Sequence, residues 1–176
     1  VPARRKFLKN DRIELKHCID EFHRVALLHA HIEWVLKSDD KLLFHLQAEP
    51  LRRRISAIFG RKFDERLVPI QETTEVVSVS GFILKPEYAK KKRGEQFLFV
   101  NGRYIKSPFL HNAIREAFEE VLSGDHHPGY FLYLNVDPAS LDVNIHPTKT
   151  EVKFEDERSI YAVLRSAGRH AIGQFN

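Results

Sequence analysis

The sequence predicts an α+β fold, a mostly antiparallel sheet with helices packed on one face and a βαβ crossover. Short β-branched and aromatic runs separated by tight-turn residues fill the middle of the chain. Apolar stripes at three- and four-residue steps stand at its start and twice late in it. One of those late stripes lies between two strand-like runs.

Lys9 to His29 reads as a helix with Leu15, Cys18, Ile19, Phe22, Val25 and Ala26 inward and Lys16, Glu21 and Arg24 outward. His31 to Lys37 and Leu42 to Leu46 form a hairpin, with Ser38, Asp39, Asp40 and Lys41 supplying the turn. A short helix from Leu51 to Phe59 ends at Gly60, which suits a left-handed cap. Arg52, Arg53 and Arg54 fan around it and read as solvated.

Leu67 to Gln71 and Glu75 to Leu84 are strands, the second rich in Val76, Val77, Val79 and Ile83. Lys85 to Glu95 breaks the pattern with Pro86, Gly94 and the run Lys90, Lys91, Lys92, Arg93. Such a block cannot bury itself and reads as a mobile surface loop. It also makes a basic arm beside Arg103 and Lys106, where nucleic-acid phosphates could be held by charge.

Gln96 to Val100 and Arg103 to Lys106 pair across the tight-turn dipeptide Asn101-Gly102. Ser107 caps the next helix with Pro108 at its first position, and Leu110, Ala113, Ile114, Ala117, Phe118 and Val121 form its buried stripe up to Gly124. Tyr130 to Val136 is nearly all apolar, as in the centre of a covered sheet. The last helix opens on Glu155, Asp156 and Glu157 and closes on Arg165, Arg169 and His170, matching the helix dipole. Ile160, Val163, Leu164, Ala167 and Ala171 make its core face.

Between the last strand and that helix lies Asp142 to Phe154, D-V-N-I-H-P-T-K-T-E-V-K-F. Both flanks alternate polar and apolar, and Pro147 fixes its own φ while pushing His146 into an extended conformation. Lys149 is thereby held at a loop tip, either as a solvated loop charge or as an ammonium offered to a phosphate. Arg4, Arg5, Lys6 and Lys9 make a second cluster, a solvated linker on one reading and phosphate contacts on the other.

Three stretches carry a family resemblance. N-I-H-P-T-K-T-E-V-K-F resembles the motif of MutL-type DNA mismatch repair proteins. Val1 to Lys9, V-P-A-R-R-K-F-L-K, resembles that family's T-P-A-R-R-K-F-L segment, with Val1 where threonine is commonest. Phe99 to Arg103, F-V-N-G-R, resembles its F-V-N-x-R.

The resemblance implies a ribosomal-protein-like transducer domain with a left-handed crossover over 31–176. Residues 1–30 would be a linker segment and helix from the preceding ATPase domain. Lys149 would reach the γ-phosphate of ATP held by that domain, coupling ATP binding to homodimerisation and sequence-independent DNA binding. Arg4, Arg5, Lys90, Lys91, Lys92, Arg93, Arg103 and Lys106 would meet the DNA backbone. The isolated chain would be no enzyme and hold no cofactor, ATP and magnesium entering only in the intact protein, whose further partner is a mismatch-recognition protein. A related ATP-operated topoisomerase or chaperone, or an ATP-independent nucleic-acid module, is the alternative.

Composition bounds these readings. A net charge of +4 makes acidic partners plausible. Cys18 is the sole cysteine, which excludes an internal disulfide or a thiolate metal cluster and predicts a reducing, intracellular setting, which the family resemblance narrows to a cytoplasmic, nucleoid-associated one. No apolar run approaches the ~20 residues that span a bilayer. His29, His31, His126 and His127 have no further ligands at a metal-binding spacing, so no metal is expected. No Walker-type loop or nucleophile elbow is present. The absence of methionine predicts a piece of a longer chain.

Overall fold

The structure, a computed structural model, describes residues 11–143 and 150–175. The chain divides into two compact units, Val1–Asp64 and Glu65–Asn176.

In the first unit, helix α1 (Asp11–Leu28) is followed by the antiparallel hairpin β1 (Trp34–Ser38) and β2 (Lys41–Leu46), and by α2 (Leu51–Phe59). Asp39 and Asp40 both take positive φ, 50° and 63°, which gives the primed turn that suits the twist of a hairpin. Ala26, Leu27, Leu46, Ile55 and Phe63 are buried. Phe22, His23, Phe44 and Phe59 pack ring against ring beside them, with centroids 5.4–5.6 Å apart. Leu15 and Val25, assigned to the inner stripe of α1, stay exposed. At Leu15 the reason is length: α1 runs about 27 Å and α2 about half that, so α2 cannot cover the whole stripe.

Arg54 corrects the expectation of three solvated arginines. It is fully buried, and its guanidinium donates to the carbonyls of Ala26, His29, Ala30, Ile32 and Gln47 at 2.6–3.2 Å. The two terminal nitrogens of its rigid planar fork thus serve carbonyls at and just beyond the end of α1 together with that of Gln47 after β2. Arg53 faces solvent, and Arg52 bridges to Asp64 at 3.3 Å.

The second unit is a five-stranded sheet in the order β3-β4-β7-β5-β6. Its strands are β3 (Leu67–Thr73), β4 (Ser78–Leu84), β5 (Gln96–Val100), β6 (Arg103–Ile105) and β7 (Tyr130–Asn135). All neighbours are antiparallel except β5 and β7, which run parallel. Helix α3 (Pro108–Ala117) lies between those two in sequence, completing the βαβ crossover. With α4 (Glu157–Phe175), α3 covers one sheet face, where Leu98, Val100, Leu132 and Leu134 meet Ile114, Ile160 and Leu164. Alternate residues point the other way and are aromatic, with Phe97 near parallel to Phe131 and Phe99 to Tyr133. Gly168 lets the two helices touch, since a Cβ there would stand 2.8 Å from the Cβ of Ala117.

Ser107 caps α3 as expected, accepting from the Leu110 amide at 3.1 Å, with Pro108 at the first position. The helix stops at Ala117 rather than near Gly124, and Val121 is exposed instead of buried. Phe118 closes the helix with its ring fully buried, so the stripe ends one turn early. A small hairpin, β8 (Leu141–Val143) with β9 (Val152–Phe154), precedes α4.

Candidate phosphate-facing hairpin and basic arm

The hairpin expected to carry a phosphate-directed lysine is anchored at its root. Val143 pairs with Val152, Asp142 with Lys153 and Leu141 with Phe154. Glu155 N donates to Ser140 O at 2.8 Å, closing the open end. The Lys106 amide, leaving β6, donates to Thr150 O at 2.9 Å, so the arm of the hairpin next to Lys149 is tied to the sheet edge. Lys149 itself, like Arg4 and Arg5, lies outside the described residues.

The F-V-N-G-R stretch builds the other side of this root. Asn101 and Gly102 take positive φ, 47° and 78°, making the tight turn between β5 and β6. The Asn101 side chain then behaves as one more rung of the ladder: Nδ2 donates to Val136 O at 3.0 Å and Oδ1 accepts from Val136 N at 2.9 Å. That holds the end of β7 just before the chain turns through Pro138 into β8. A cavity of about 270 Å³ remains between the turn and the hairpin, lined by Val100, Asn101, Arg103, Pro138, Leu141 and Val152. Arg103 is half-buried, and its Nη1 is enclosed without a hydrogen-bond partner among the described residues.

The basic arm is tied to a neighbouring loop at its first residue. Lys90 forms a β-bridge with His127, its amide donating to His127 O at 3.1 Å and its carbonyl accepting from His127 N at 2.6 Å. Lys90 Nζ stands 3.5 Å from Glu95 and Lys91 Nζ 3.8 Å from Asp125, both exposed and therefore weak pairs. Lys92 and Arg93 are exposed. Because β6 runs back along β5, Lys106 returns towards the arm, whereas Arg103 stays by the turn at the far end of the strand. The structure thus brings Lys106 and Arg103 to the hairpin root and the arm to the loop 125–129, with Arg103 at the opposite end of its strand from the arm.

A family profile described as "DNA mismatch repair protein, C-terminal domain" matches residues 55–173. The DNA mismatch repair protein MutL of Christiangramia forsetii is 54% identical over 176 residues, which is 100% of this chain and 28% of that protein. The chain belongs to the MutL family of DNA mismatch repair proteins.

MutL of Flavobacterium psychrophilum is 56% identical over the same 176 residues, 29% of its length. The chain therefore spans less than a third of the MutL proteins it matches. Among solved structures, the N-terminal domain of a DNA repair protein superposes with a TM-score of 0.77 at 19% identity, covering 99% of this chain and 58% of that one. A MutL ATPase domain of Aquifex aeolicus complexed with ADP superposes with a TM-score of 0.56 at 22% identity, covering 78% of this chain and 49% of that one. MutL membership sets aside a topoisomerase or a chaperone as the source of the chain.

In this MutL chain the sequence reading missed three residues that shape the site. Asn101 was legible as a turn former but not as a clamp, because turn preference says nothing of where the amide points. His111 and Tyr130 are buried and hydrogen-bonded to each other at 2.8 Å. A signal existed for His111, which stands three residues before Ile114 and seven before Phe118, on the apolar stripe of α3. Among the described residues no three His, Cys, Asp or Glu side chains converge on a metal position, and no helix is long and apolar enough to cross a membrane.

Proposed function

We propose that this chain is the transducer part of a MutL protein, in which Lys149 completes an ATP site gripped by the preceding domain of the same chain. The observation that carries the reading is the anchored hairpin root. Pairing of β8 with β9, the Lys106–Thr150 bond and the Asn101–Val136 clamp fix the chain on both sides of the segment that carries Lys149. The Aquifex aeolicus neighbour crystallised with ADP supports a nucleotide in the intact protein.

On this reading residues 1–30 continue from the ATPase domain and 31–176 form the transducer, with the left-handed crossover of its family. Residues upstream of this chain hold ATP and magnesium and activate water. Lys149 makes a charged hydrogen bond to the γ-phosphate, worth about 1.5–3 kcal/mol. Such a contact exists in the closed state alone, which is the differential affinity that lets ATP shift a conformational equilibrium. Closure then brings two subunits together around DNA, and hydrolysis releases them. The protein works inside the cell, with a mismatch-recognition partner.

Turnover of ATP by the full-length protein tests this. Lys149→Ala is expected to lower the rate on the order of 100-fold, and unchanged turnover removes Lys149 from the mechanism. Arg4, Arg5, Lys90, Lys91, Lys92, Arg93, Arg103 and Lys106 supply backbone contacts to DNA without sequence readout. Affinity accordingly falls steeply with salt, each lost contact lowering the logarithmic slope by roughly 0.9. Salt-independent binding contradicts that part of the proposal.

A further inference from the structure

A buried polar chain that ATP coupling does not use runs from α3 to the basic arm. His111 is 6% exposed on the inner side of α3. Its Nδ1 lies 2.8 Å from the Tyr130 hydroxyl on β7 and its Nε2 lies 3.0 Å from His127 Nδ1. A neutral imidazole has one donor and one acceptor nitrogen, so in either tautomer His111 satisfies both neighbours at once. Burial, reinforced by Arg93, His127 and Arg115, pushes its pKa down to about 4, which keeps it neutral at physiological pH.

His127 in turn exchanges two backbone hydrogen bonds with Lys90, the first cation of the arm. At the other end Gln96 Nε2 donates to Pro128 O at 3.1 Å and Tyr130 N donates to Glu95 O at 2.9 Å. The arm is thus laced to the loop 125–129, and that loop is held to the core through the His127 ring. Arg93 lies within electrostatic reach of His111, His127 and Tyr130, which puts the last cation of the arm in the neighbourhood of this anchor. Like charges crowded on a short segment spread unless the backbone is held, and a pre-ordered arm loses less entropy on binding.

We infer that His111 is a positioning residue for nucleic-acid binding: its bond to His127 presets the basic arm to meet a phosphate backbone. The inference rests on the proposal that the arm contacts DNA.

The two ring nitrogens can be tested apart. Gln at position 111 offers its amide near the Nε2 position and can keep the bond to His127, whereas Asn offers it near Nδ1 and can keep only Tyr130. The full-length protein is titrated with labelled double-stranded DNA of arbitrary sequence over a range of salt. Lys92→Ala combined with Arg93→Ala is expected to lower the logarithmic salt slope by roughly 1.8. His111→Asn is expected to weaken binding about tenfold at low salt and to lower the slope in the same sense, with His111→Gln close to the parent protein. If the arm double variant behaves as expected while Asn and Gln act alike, the inference falls and DNA contact by the arm stands. A double variant that leaves the slope unchanged removes that contact, and the inference with it.

Discussion

Two runs of consecutive cations, Arg52–Arg54 and Lys90–Arg93, look alike in sequence and do opposite things in the structure. The first lies on α2, where each residue turns by about 100° from the last, so one arginine meets Asp64, one meets water and one enters the centre of the unit. The second lies on irregular backbone, and all four of its side chains are exposed. What differs is the backbone under the charge and the acceptors within reach. Arg54 finds four carbonyls at and beyond the end of α1 and a fifth at Gln47, and these lower the desolvation cost that would otherwise keep it outside. The arm finds two carboxylates at 3.5 and 3.8 Å, a half-buried Glu95 and an exposed Asp125.

Removing Arg54 should break the comparison most sharply. Arg54→Ala leaves buried carbonyls of α1 and of the following loop unpaired and opens a cavity, for an expected loss of about 3–5 kcal/mol. Arg54→Lys recovers only part of this, because one ammonium cannot serve five acceptors in a plane. Denaturant unfolding of this chain with a probe at Trp34, whose Nε1 donates to His29 O, reads the effect directly. A loss below about 1 kcal/mol would place Arg54 with the surface cations after all.

The next largest effect is on pH dependence, and it belongs to the anchor of the arm. The folded pKa of His111, about 4, lies below the ordinary value of 6.5, so the unfolded chain binds more protons between those limits. The stability it contributes is complete above pH 6.5 and is lost as pH falls through 4. The shift corresponds to an order of 3 kcal/mol. His127 is lowered in the same direction, first by burial and then by Arg115 and Arg93, and adds to the loss. Melting temperature followed from pH 7 to pH 4 should fall more steeply in the parent chain than in His111→Phe, which has no proton to take up there. Parallel curves would mean that the buried imidazole is not held neutral.

Much of the architecture was readable because local signals agreed. The apolar period of α4, the cap at Ser107 and the turn at Asn101-Gly102 each point to one conformation, and the structure has all three. The early stop of α3 was not readable, since Val121 continues the stripe in sequence and nothing local tells that the helix unwinds at Phe118. Of the candidate site, the two strand flanks around Lys149 were legible from alternation alone. What tied them to the sheet was not, because Lys106 to Thr150 and Asn101 to Val136 are bonds between positions more than thirty residues apart. The fate of Arg54 was hidden for the same reason: burial depends on carbonyls up to 28 residues distant that no window around it contains.

The smallest effect on stability, and the cleanest contrast with Arg54, should come from the arm. Lys91→Ala removes a pair with Asp125 in which both side chains are mostly exposed, so unfolding free energy should change by less than about 0.5 kcal/mol. The same substitution should still lower the logarithmic salt slope of DNA binding by roughly 0.9, because a surface cation that contributes little to folding can release a counterion in full on meeting a phosphate. A charge that matters to stability and not to binding, as at Arg54, and one that matters to binding and not to stability, as at Lys91, would then be separated by two measurements on the same protein. If Lys91→Ala costs more stability than slope, its ammonium is engaged with Asp125 and unavailable to DNA, and Lys92 and Arg93 become the contacts of the arm.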